Sequence, residues 1–236
     1  MLKLASAILF SENLNNSPML QPSTIQFIQK LGKNNNKVWF DKNRDAYAAA
    51  KEDFEVFVTN LLEKLTKLDP AFSNYKAKDC IFRIFRDVRF SKDKTPYKAH
   101  FGAYFSNSGR KGPGAGYYVH IEPGKSFAGG GLWMPEGPVL KAVRQEIDYN
   151  FSEFKKITGG TKFKKMFPKM EGEQLKTLPQ GYTADNPAID YLKMKSFVVT
   201  TRIDDKELTA KTLVSKCMDI FTTMSPLVNF LNRPVE

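Results

Sequence analysis

The sequence predicts an α+β fold, an antiparallel sheet of about five strands flanked by N-terminal and C-terminal helices. Three observations predict it. Apolar residues recur every three or four positions near both ends of the 236-residue chain. Between them, short aromatic and β-branched runs are separated by turn-forming stretches. The two kinds of segment do not alternate as βαβ units would, so a doubly wound sheet is excluded.

The elements follow in order. Ser23 and Gln26 form a capping box for a first helix that Gly32 ends, with Ile25, Ile28 and Leu31 on its buried side. After Asn34-Asn35-Asn36, Asp41 or Asn43 caps a long amphipathic helix through Tyr47, Ala50, Phe54, Phe57, Leu61, Leu65 and Leu68, and Pro70 lies just past its end. Four strands are then expected at Cys80–Phe90, Tyr97–Ser106, Gly116–Glu122 and Phe127–Met134. Pro138 opens a helix that Gly159-Gly160 closes, and residues 161–190 are basic and turn-rich. Ser196–Ile203 is a returning strand. Asp204 and Glu207 then box the start of a last long helix, which Pro226 interrupts.

Composition is that of an ordinary globular chain, 42% hydrophobic and 26% charged. No apolar run approaches the roughly 18 residues of a membrane span. Cys80 and Cys217 cannot build a disulfide scaffold and suit a reducing compartment. Leu4–Phe10 is a short apolar stretch behind a single lysine, without a small-residue cleavage site. Residues 1–18 read as an N-terminal extension, either a truncated export signal or sequence ahead of a natural start at Met19, and 19–236 as one domain.

The net charge of +11 favours anionic partners. It is densest from Lys76 to Lys98, where eight basic residues face three acidic ones. Strand alternation sets Arg86 among Phe82, Ile84, Val88 and Phe90, where an unpaired guanidinium is costly. Arg83, Arg86, Arg89, Lys92, Lys94, Tyr97 and Lys98 are thus candidate ligands for a phosphate or carboxylate, combining the forked and point-charge donors that such groups take. An exposed turn in which Asp87 and Asp93 satisfy the arginines remains open.

The chain has two histidines. A hairpin register pairing Tyr104 with Tyr118 sets His100 opposite Glu122 and diagonal to His120. Such a group would share acid–base work through His100 and His120, or bind a transition metal through both with Glu122. Hydrogen-bonded histidines on a half-buried sheet are the plainer alternative. No cofactor motif is complete. Gly124-Lys125-Ser126 ends like a P-loop, but the glycine required upstream is Val119, and no Gly-rich dinucleotide, zinc-protease or nucleophile-elbow pattern occurs. Gly129-Gly130-Gly131 either lets the backbone approach a ligand closely or marks a bulge.

Arg86-Asp-Val-Arg-Phe-Ser-Lys-Asp-Lys-Thr-Pro-Tyr-Lys98 closely resembles the signature of the domain-of-unknown-function 2461 family of bacteria and fungi. Asn34 to Phe40, His100, Gly116–Gly124, Gly129–Trp133 and Leu175–Gly181 agree with it, over about residues 20 to 233. Where similar proteins often carry Asp-His-Pro, this chain has Asp185-Asn-Pro187, so a role for that histidine does not transfer. The resemblance implies a soluble cytoplasmic α+β protein and supplies no substrate. It shifts the reading of the basic stretch toward a site. The leading expectation is a small phosphorylated or carboxylated ligand, with catalysis by His100 or His120. A nucleic-acid module stacking bases on Phe90, Tyr97, Phe101, Tyr104 and Tyr118 is the alternative, and a protein-interaction scaffold comes third.

Overall fold

In the computed structural model, residues 19–235 are described, and the extension expected over residues 1–18 lies outside them. Helices come first: α1 (Pro22–Lys33), α2 (Lys37–Lys42), α3 (Arg44–Leu68), a 3-10 turn at Pro70–Asn74 and a short α4 (Ala77–Cys80). Strands β1 (Phe101–Phe105), β2 (Gly116–Ile121) and β3 (Phe127–Leu132) follow, then α5 (Gly137–Tyr149), α6 (Phe151–Gly159), α7 (Thr161–Met166) and α8 (Ile189–Leu192). Strand β4 (Phe197–Arg202) precedes α9 (Asp205–Leu208) and α10 (Leu213–Asn232). The fold is α+β, with one antiparallel sheet ordered β1-β2-β3-β4.

The sheet has four strands rather than about five because Cys80–Phe90 does not form a continuous ladder. Isolated bridges join Ile81 to Ala103 and Phe85 to Tyr97. Arg86 N–H donates to the Pro96 carbonyl at 2.9 Å, but Pro96 has no N–H to return. Alternation nevertheless survives in burial: Ile84 is buried and Arg86 and Val88 are half-buried, while Arg83, Phe85, Asp87 and Arg89 are exposed. Tyr97 does not extend β1, because its N–H and carbonyl are clasped by the Asn35 side-chain amide at 3.0 and 2.8 Å.

Helix ends also differ from the sequence reading. The cap of α1 is Gln21, not Ser23, with Pro22 in the first turn. The box at Asp204 and Glu207 is present, but it opens the one-turn α9. Helix α10 continues through Pro226. The Thr222 carbonyl, which the missing proline N–H would have served, accepts a 3.0 Å bond from the Ser225 hydroxyl instead.

The chain clusters into two compact units. The first holds the described residues up to Tyr104 with Val119–Phe127 and Arg202–Met218. Its core packs α1 against α3 through Phe27, Ile28, Leu31, Phe54, Val58 and Leu61, all buried. Phe54 stacks on Phe101 at 5.1 Å and Phe40 on Tyr97 at 4.0 Å. The second unit holds Phe105–Tyr118, Ala128–Thr201 and the chain from Asp219 on. Phe221 meets Tyr117 there, and Phe154 meets both Tyr191 and Phe230. The glycine run admits a close approach of strand to strand: a Cβ on Gly130 (φ +151°) would collide with the Gly116 carbonyl oxygen.

Candidate functional site

The chain's two histidines meet in the first unit. His100 lies in the bend between the Tyr97 bridge and β1, a break made by the Asn35 clasp. His120 is the penultimate residue of β2, and Glu122 follows that strand directly. Glu122 is held by a tight turn in which Lys125 N–H donates to its carbonyl at 2.8 Å. Pro123 and Gly124 fill the two central positions as a type II turn requires, with Gly124 at φ +84°. The Ser126 hydroxyl pins the same corner, accepting from Glu122 N–H at 3.0 Å and donating to the Glu122 carbonyl at 2.9 Å.

The two imidazole rings are 4.2 Å apart, centre to centre. His120 Nε2 is 3.0 Å from Glu122 Oε2, and Lys125 Nζ donates to Oε1 at 3.1 Å. Phe127 stacks against the His120 ring at 4.9 Å and 12°, which fixes the plane of that imidazole. All three side chains are half-buried. One ligating atom from each of His100, His120 and Glu122 falls within 4.8 Å of the other two, and no other such group of three occurs among the described residues.

The electrostatics are unequal across the group. Burial, then the neighbouring His120, and further out Lys98 and Arg86, push the His100 pKa down to about 4 against the opposing pull of Glu122. His100 is therefore a neutral imidazole at pH 7. Burial raises the Glu122 carboxyl, but hydrogen bonds from His120 and Lys125 outweigh it and leave its pKa below the ordinary value. Neutral imidazole beside ionised carboxylate can accept a proton, donate a hydrogen bond to an acid, or ligate a metal ion.

A family model described as Conserved hypothetical protein (DUF2461) matches residues 23–230. The chain belongs to this family. No curated protein and no solved structure matches it.

The DUF2461 chain does not gather its basic stretch at the histidines as a whole. Arg86 turns into its own loop, pairing with Asp93 and the Thr95 hydroxyl, with Ser91 Oγ at 3.4 Å. Arg89 pairs with Asp87 at 2.7 Å, and Lys94 Nζ donates to the Val88 carbonyl at 2.9 Å. Arg83, Arg89, Lys92 and Lys94 are exposed, whereas Tyr97 is buried against Phe40. Of the seven candidate ligand-binding residues, Lys98 and Arg86 act electrostatically on His100. Lys98 also lies over the Phe82 ring at 5.2 Å.

A cleft of about 400 Å³ opens beside Glu122. Its charged lining is Lys33, Glu122 and Asp205, and none of the seven basic-stretch candidates borders it. Sequence reasoning missed Asn35, Lys125 and Phe127. The first two carried weak signals, as the polar neighbour of a helix cap and as the fourth residue of a Pro-Gly turn.

No helix among the described residues is long and apolar enough to cross a membrane.

Proposed function

We propose that this DUF2461 protein binds a small phosphorylated or carboxylated molecule where His100 meets His120, with one imidazole in position to take or give a proton. The observation that carries this reading is the contact between the two rings, 4.2 Å apart in a half-buried setting. Lys98 acts on the same point, whereas Arg86 is matched by Asp93 within its own loop. A neutral imidazole N–H donates to an acid oxygen, and nearby cations favour the charge that the oxygen carries. The reading is narrower than a pocket lined by the whole basic stretch, since Arg89 is matched within its own loop.

A thermal-shift screen with phosphates, nucleotides and organic acids tests it. At least one class of acid should raise the melting midpoint, and His120→Asn and Lys98→Met should each cut that shift by half or more. A shift left whole in both variants defeats the reading.

One observation favours a second reading, contact with single-stranded nucleic acid. Phe90 is 96% exposed with the Arg89 guanidinium 5.8 Å from its ring, in a stretch where Arg83, Lys92 and Lys94 are also exposed. Aromatic stacking with surrounding cations suits that ligand. The platform is smaller than the sequence suggested, because Tyr97 and Phe101 are buried. Retention on oligonucleotides at low salt, lost in Phe90→Ala, would support it.

A further inference from the structure

We propose that His100, His120 and Glu122 bind one divalent transition-metal ion of the zinc or manganese class, through one nitrogen of each imidazole and one carboxylate oxygen. Three features of the geometry point to it. First, two imidazoles and a carboxylate are a donor set that such ions accept, and a three-residue site leaves positions for water or a ligand. Second, the spacing is nearly that of a formed site. Ligands bonded at about 2.1 Å to a tetrahedral ion stand about 3.4 Å from one another. His120 Nε2 and Glu122 Oε2 are already 3.0 Å apart, and one ligating atom from each of the three side chains lies within 4.8 Å of the other two. Against the roughly 3.4 Å of a formed site, the remainder is within reach of side-chain rotation.

Third, the ligands are oriented from outside. Lys125 holds the Glu122 oxygen that does not face His120, and the Pro123-Gly124 turn holds the Glu122 backbone. Phe127 sets the plane of the His120 ring. Outer partners that fix ligand orientation are a regular part of metal sites. The arrangement also explains why one corner carries a stacked histidine, a paired glutamate and a tight turn within the span from His120 to Phe127.

The metal rests on the acid-binding reading above for one point, the group that fills its open position. A coordinated cation with an open position offers an acid oxygen a bond that the protein side chains alone do not supply. Metal and acid then strengthen each other's binding by the same factor, as linkage requires.

The test uses the full chain stripped of metal by chelator. Zinc titrated by calorimetry should bind in one equivalent, and cobalt should give the visible absorption bands of a nitrogen- and oxygen-ligated ion. Glu122→Gln and His120→Asn should each weaken zinc at least as much as the loss of an outer partner does, about 10–100-fold. Far-UV circular dichroism confirms that the variants fold, and Glu122→Gln, which keeps its shape, gives the readout if His120→Asn does not. A wild-type chain that binds no equivalent, or variants that bind as it does, overturns the proposal. Inorganic phosphate separates the two readings. Phosphate that stabilises the metal-free chain while zinc finds no site overturns the metal and leaves the acid reading intact. Zinc bound as expected, with no acid having any effect, supports the metal and removes the acid reading.

Discussion

The Thr24 hydroxyl donates a 2.6 Å hydrogen bond to Asp53 Oδ2, and the same oxygen accepts the Gln21 N–H at 2.9 Å. Helix α1 has no side-chain cap of its own, so the long helix α3 supplies one across the core. The two bonds thus tie the start of the first helix to the helix it packs against.

Removing the donor should be costly. Thr24 is buried, and a hydrogen bond to a charged group contributes about 1.5–3 kcal/mol. Thr24→Val should lower stability by about that much in chemical denaturation. Asp53→Asn should behave oppositely. Burial raises the Asp53 pKa, while Thr24 and Gln21 pull it back only in part. A group whose folded pKa lies above its unfolded value stabilises the fold at low pH and loses that contribution as pH rises through the folded value. The asparagine keeps an acceptor for both donors and carries no charge. Asp53→Asn should match or exceed wild type at pH 7, and its advantage should shrink on acidification toward about pH 4, the ordinary Asp range. An advantage that grows on acidification would refute the argument.

This cap shows where the sequence stops being readable. The long helix through Phe54, Phe57, Leu61 and Leu65 follows from spacing alone, because its partner need only be apolar. The box at Asp204 and Glu207 follows from four adjacent residues. Asp53 lies 29 residues from Thr24, and nothing local marks it as a cap. The cluster of His100, His120 and Glu122 was readable only through an assumed register between two strands, because pleating sorts alternate residues to one side but the partner decides which of them meet, and His100 and Glu122 lie just outside β1 and β2. The fate of the arginines was not readable. Pairing with Asp87 and Asp93 was one of two outcomes the sequence left open: Asp87 lies two residues from Arg89, but the Arg86–Asp93 pair depends on the path of the loop between them, which charge counting does not contain.

That loop supplies the next expectation. Arg86 joins Asp93, Thr95 and Ser91 from one side chain, so it is the pin of the loop rather than a free donor. Arg86→Gln should leave the melting midpoint nearly unchanged while speeding proteolysis between Val88 and Lys94 severalfold. Hydrogen bonds from Arg86 and Thr95 hold the Asp93 carboxyl down to about 2. A depressed carboxyl contributes above its unfolded pKa and is lost as pH falls through the folded one. The wild-type loop should therefore lose amide protection, measured against the intrinsic exchange rate at each pH, between about pH 4 and pH 2, whereas Arg86→Gln should show no such step. Equal acid sensitivity in both proteins would assign the opening to another group.

In the second unit, Asn232 near the end of α10 reads the backbone of Ala115 as a peptide would. Its Oδ1 accepts the Ala115 N–H at 2.7 Å, and its Nδ2 donates to the Ala115 carbonyl at 3.3 Å. Both residues are buried. The two bonds are not equal in consequence. The carbonyl keeps a 3.4 Å bond from the Ser106 hydroxyl, whereas the N–H loses this acceptor when Asn232 is removed. Stranding a buried N–H costs about 1–3 kcal/mol. Asn232→Ala should destabilise by at least that amount and speed exchange of the Ala115 amide. Asn232→Asp keeps an acceptor for the N–H but turns a carboxylate oxygen toward the carbonyl. It should be unstable at neutral pH and recover as acid protonates the new side chain, because the protonated form restores a donor. Recovery on acidification in Asn232→Asp, without recovery in Asn232→Ala, distinguishes a hydrogen-bonded clasp from side-chain packing. Parallel behaviour of the two variants would show that the volume of Asn232, and not its amide, holds α10 to the loop before β2.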